Sequence, residues 1–134
     1  VTWFLPALLL AAGATTQPVE VVRRETQPVY RAKGIEVQML VENAGAYLGK
    51  LRFEPGTKVP AHRHPESEEL LTILSGAGTM TIDGKVVEVR AGDAVRIPVN
   101  ALHDFAASAT HPVEAIQTYT PRGPEERFRS WPKR

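Results

Sequence analysis

The stretch from Gly56 to Gly76, GTKVPAHRHPESEELLTILSG, decides the fold, and Gly92 to His103, GDAVRIPVNALH, answers it. His62 and His64 are separated by one residue. In an extended segment, side chains two apart leave the same face about 6.6 Å apart along the strand, so both imidazoles can reach one ion. Glu69 opens the apolar run Leu70, Leu71, Thr72, Ile73, Leu74, which reads as a buried strand able to aim the carboxylate inward. His103 follows a second short strand, Ala94 to Pro98. Three neutral imidazoles and one carboxylate suit a single divalent first-row ion (Fe, Mn, Ni, Zn or Cu), and an octahedral ion so held keeps two positions open for water or substrate. The expected metal ligands are therefore His62, His64, Glu69 and His103, while His111, before Pro112 in a loop-like stretch, is expected to face solvent.

The spacing resembles that of the cupin family. Gly, five residues, His-x-His, four residues, Glu, six residues, Gly is met by Gly56, His62, His64, Glu69 and Gly76. The second cupin motif, Gly, five residues, Pro-x-Gly, two residues, His, three residues, Asn, is met at Gly92, Pro98 and His103, with Asn100 in place of the last Gly and Ala107 in place of Asn. Asn best tolerates a left-handed backbone among non-glycine residues, so Asn100 is expected to preserve the turn. The resemblance implies a small single-domain, RmlC-like cupin: an all-β double-stranded β-helix, or jelly-roll sandwich, with the site inside the barrel. It also implies pairing into dimers and a reaction menu of dioxygenases, isomerases, epimerases and lyases.

Outward from the motifs the pattern is period two or short apolar runs, which reads as all-β. Ile35 to Glu42 and Tyr47 to Glu54 alternate as half-buried strands around an Asn43-Ala44-Gly45 turn. Thr79 to Asp83 and Lys85 to Arg90 flank Asp83-Gly84, the strongest hairpin dipeptide in the chain, and Val113 to Tyr119 is the closing strand. About nine to eleven short strands of this kind make a sandwich or barrel. Strand parity places Leu71 and Ile73 on the face of Glu69, and Phe105 on that of His103, so the ion is expected in a mostly apolar chamber. Tyr47, Phe53, Met39, Gln117 and Tyr119 are weaker candidates for its wall, each taken singly reading as plain core.

The 134 residues suit one domain, and the absence of cysteine excludes disulfides and thiolate chemistry. A net charge of +1 gives no footing for nucleic-acid binding. Residues 1–14 read as a signal peptide, residues 15–120 as the cupin domain and residues 121–134 as a basic tail. The apolar run Trp3 to Ala12 is too short to span a bilayer, and Ala12-Gly13-Ala14 supplies a cleavage site, although no Lys or Arg precedes the run. Export is expected, with a cytoplasmic chain whose apolar arm packs on the domain or a partner as the alternative; N-terminal sequencing from the native cell decides. The tail, with Phe128 and Trp131 among five basic residues, is expected to be solvated or to wrap a neighbouring subunit. Val19, Val21, Val22, Val29 and Tyr30 would gain most by lying along a second copy's sheet, so a two-fold homodimer is expected, which sedimentation checks. Two functions remain open: an enzyme acting on a small oxygen-bearing substrate at the metal, or a non-catalytic small-ligand binder with a structural metal. No separate acid or base stands out, since Glu66, Glu68 and Asp104 read as solvent-facing charges.

Overall fold

The computed structural model describes residues 18–134, so the expected signal peptide lies outside the described residues. The strands are β1 (Tyr30–Ala32), β2 (Ile35–Glu42), β3 (Tyr47–Phe53), β4 (Lys58–His62), β5 (Glu68–Ser75), β6 (Ala77–Ile82), β7 (Lys85–Arg90), β8 (Ala94–Ile97), β9 (His103–Ala107) and β10 (Val113–Thr120). They form two antiparallel sheets, β1-β2-β3-β10-β5-β8 and β4-β9-β6-β7. The non-sequential order, with β10 between β3 and β5 and β9 between β4 and β6, makes the jelly roll. No helix among the described residues is long and apolar enough to cross a membrane.

Local sequence accounts for the turns. Asp83 and Gly84 both take positive φ, 47° and 79°, as the tight hairpin between β6 and β7 requires. Asn43 Oδ1 accepts from the amides of Gly45 and Ala46, which closes the β2–β3 turn. Asn100 sits at φ 62°, the left-handed turn expected where the family has Gly.

The core lies between the sheets. β3 and β10 alternate strictly, and their inward residues Tyr47, Leu51, Val113, Ala115 and Tyr119 are buried. Phe53 meets Phe105 across the sheets edge-on at 4.9 Å between ring centroids, and Tyr47 stacks on Tyr119 at 5.6 Å. The run Leu70 to Leu74 is not buried on both faces as expected. Ile73 is buried and Leu71 half-buried, but Leu70 and Leu74 are exposed. A continuous apolar run imitates a two-sided strand, whereas one face of this sheet has no layer over it among the described residues.

The C-terminal residues differ from expectation more sharply. Instead of a solvated or neighbour-wrapping tail, Pro124–Ser130 forms a 3₁₀ segment on the chain's own core, with Phe128 2% exposed and Glu125 fully buried. Glu125 accepts from Arg122 Nε at 3.0 Å and from the Gly123 amide at 2.6 Å. Phe128 packs against Tyr47 and Trp131. Beyond it, Arg31 N donates to Pro132 O and Arg134 N to Val29 O, each at 2.9 Å, so the end of the chain pairs along β1. Tyr30, expected to seek a neighbour's sheet, is thus paired within its own chain, while Val19 and Val21 remain exposed.

Candidate metal centre

The four expected ligands come from both sheets and converge between them. His62 ends β4 and pairs in register with His103, the first residue of β9. Glu69 comes from β5 in the opposite sheet, where it pairs with Tyr119. His64 lies past the end of β4, and Asn100 N donates to its carbonyl at 2.9 Å, so the turn at Asn100 holds the histidine loop in place. Arg63 Nη1 donates to Asn100 O at 2.7 Å and ties the same two loops. The imidazole centroids stand 4.3 to 5.1 Å apart, and one donor atom from each of the four residues lies within 4.8 Å of the others.

The protons are arranged for ligation. His62 Nδ1 and His103 Nδ1 each lie 2.8 Å from a backbone carbonyl, of Pro60 and Ala101. Those contacts place the ring proton on Nδ1 and leave Nε2 with its lone pair toward the centre. His103 Nε2 is buried without a hydrogen-bond partner, 3.2 Å from Glu69 Oε2 but off the line that a hydrogen bond needs. A buried nitrogen lone pair aimed at a carboxylate oxygen is unfavourable unless a cation lies between them, so the donor set fits a metal ion. Glu69 divides its two oxygens: Oε1 accepts from Gln117 Nε2 at 2.7 Å, and Oε2 faces His64 Nε2 at 3.1 Å. Burial pushes the Glu69 carboxyl up, but His103, His64 and Gln117 outweigh it and hold it at about 2. Burial likewise depresses His103, and the adjacent Glu69 together with the Ala101 carbonyl more than offsets this and raises it above the ordinary imidazole value. His62 is lowered, first by burial and only partly restored by the Pro60 carbonyl.

Gln117, only a weak wall candidate from parity, is a buried orienting group. Its amide donates to Glu69 and also to Tyr119 Oη at 2.8 Å, and the Tyr119 ring meets His64 edge-on at 5.0 Å. Gln117→Leu should lower metal affinity about 10- to 100-fold while leaving all four ligands present, the usual effect of losing a partner that orients a ligand. Competition with a chromogenic chelator measures it; unchanged affinity would show that Gln117 does not orient Glu69.

A cavity of about 390 Å³ opens onto the centre. Its walls include Leu71, Ile73 and Phe105, as parity predicts, with Phe53 and Gln117 beside them and Met80 added from β6. Tyr47, Met39 and Tyr119 do not line it; Tyr47 and Tyr119 are fully buried in the core behind the wall. Among the wall residues that sequence reading missed are Arg127, Phe128 and Trp131, from the C-terminal segment expected to be a tail. Their signal was the three-residue spacing of two aromatics after Gly123-Pro124, which suits a short packed turn. His111 is exposed, as expected.

Comparison with known proteins agrees with this geometry. A model of the cupin domain matches residues 49–119. SchB of Streptomyces halstedii is 30% identical over 96 residues, covering 68% of this chain and 70% of that protein. The dimethylsulfoniopropionate lyase DddW of Ruegeria pomeroyi is 45% identical over 60 residues, 45% of this chain and 39% of the lyase. The crystal structure of an RmlC-like cupin from Shewanella frigidimarina superposes with a TM-score of 0.74 at 21% identity, covering 82% of this chain and 97% of that one. With both motifs seated on facing sheets and the family match spanning more than half its length, the chain belongs to the cupin family.

Proposed function

We propose that this cupin is a metal-dependent enzyme acting on a small, oxygen-bearing organic molecule bound in the cavity, by elimination, isomerisation or cyclisation. One observation carries the reading: four ligand atoms converge at a mostly apolar cavity of about 390 Å³. A bound divalent ion would supply Lewis acidity, polarising a substrate oxygen. His62, His64, His103 and Glu69 Oε2 would hold it, and Gln117 keeps Glu69 in a single orientation. Phe53, Phe105 and Met80 exclude water and favour the substrate's carbon skeleton. The likeness to a lyase over 60 residues supports elimination among these reactions, while the short stretch matched leaves the substrate open.

Metal analysis of freshly purified protein should find one divalent ion per chain, with occupancy falling as the pH drops below about 6. The sign follows from competition: protons displace the ion from the imidazoles as the pH falls, and His103, raised by Glu69, takes one before His62, lowered by burial. Occupancy that stays flat from pH 8 to pH 5 would rule out a three-histidine site. A metal-loaded protein that binds small oxygenated compounds but never turns any over would favour the non-catalytic binder.

A further inference from the structure

The arginines of the C-terminal segment are not alike. Arg122 pairs with Glu125 and Glu126, and Arg129 with Glu42 and Glu126. Arg127, between them in sequence, has no carboxylate partner among the described residues, although two glutamates lie immediately before it. Its guanidinium lies over the Phe128 ring at 4.8 Å, and Nη2 donates to Tyr119 Oη at 3.2 Å. That one bond leaves most of its five donors unused. Tyr119 Oη also accepts from Gln117, which holds Glu69, so two intervening side chains join the guanidinium to the metal-ligand carboxylate. Arg127 borders the cavity.

The electrostatic balance around the cavity has the same sign. Lys33, Lys58 and Arg63 also border it. Of its two carboxylates, Glu69 is committed to the histidines and Gln117, and Asp104 accepts from the Thr81 amide at 2.8 Å. An apolar chamber with a divalent ion at one point and an unpaired, ring-stacked guanidinium at another suits a molecule that is apolar in the middle and anionic at one end. Arginine recognises a carboxylate through two parallel N–H bonds.

We propose that Arg127 is the specificity-determining residue of this site, and that it selects substrates bearing a carboxylate by binding that group at the cavity wall while another substrate oxygen meets the metal. This rests on reading the cavity as the substrate site of the metal centre. It gives the C-terminal segment a function besides packing, because Phe128, buried against Tyr47, anchors the turn that presents Arg127.

The test uses the full chain loaded with zinc and titrated, by ligand-observed NMR, with a benzoate and its neutral isostere benzamide, each carrying a 4-acetyl oxygen to meet the metal so that the carboxylate is left for Arg127. The parent should bind benzoate more tightly than benzamide. Arg127→Gln should weaken benzoate about tenfold or more and leave benzamide unchanged, and Arg127→Lys, which keeps the charge but not the fork, should recover part of the loss. Zinc should stay at one per chain in all three proteins. Unchanged benzoate binding in Arg127→Gln at full zinc content overturns the role of Arg127 and leaves the metal site standing. Equal weakening of both probes assigns Arg127 a structural role and overturns it too. A parent that holds no zinc overturns the site itself, and this proposal with it.

Discussion

Changing His62 and His64 together to alanine should take the metal content from one ion per chain to nearly none, with affinity down by well over a hundredfold. The size follows from the geometry. These two of the four ligands come from one short stretch, and their removal leaves Glu69 and His103, one donor from each sheet. Two donors cannot complete the coordination of a first-row ion in competition with water. The fold should survive, because His62 is only half-buried and the apolar core is made by other residues. Elemental analysis after dialysis against buffer without added metal, alongside circular dichroism, checks both halves. Parent-like stoichiometry in a folded double variant would place the metal elsewhere.

Gly76→Ala should destabilise the protein by about 2 to 4 kcal/mol, by far the larger effect of the two glycines that bound the first motif. Gly76 has φ 82°, and a Cβ there would stand 2.3 Å from the Pro112 carbonyl oxygen and 3.0 Å from Val113 Cα, both backbone atoms that cannot swing aside. Gly56 has φ 76° but nothing within 4 Å of the same position. Gly56→Ala should therefore carry only the left-handed backbone term, about 1 kcal/mol. Chemical denaturation of both variants measures the difference, and equal losses would show that the close approach of β5 and β10 is not what Gly76 serves.

The sequence was legible wherever a local rule applied. Asp83-Gly84 is a hairpin because few residue pairs tolerate two successive positive φ values, and Asn100 turns left-handed for the same reason. The clustering of His62, His64, Glu69 and His103 was legible from motif spacing, although His64 lies past the end of β4 rather than on one extended strand with His62. Gln117 was harder: as one polar residue on an inward parity it looks like core, and its contact with Glu69 is a diagonal one between paired strands 48 residues apart. Leu70 and Leu74 misled because a run of leucines is silent about which face is covered. The C-terminal segment misled because its charges dominate its composition, although Arg122 and Arg129 are neutralised by acids that include Glu42, far away in the chain.

By itself the sequence determined most of the strands and the tight turns, which depend on neighbouring residues, and its two motifs marked the family and the four residues that cluster. Only the tertiary structure decided which oxygen of Glu69 faces the histidines, which candidates line the cavity and that Arg127 borders it. Those depend on how two sheets and the chain's end come together, and contacts between residues distant in sequence are set by packing over the whole core, which no local spacing encodes.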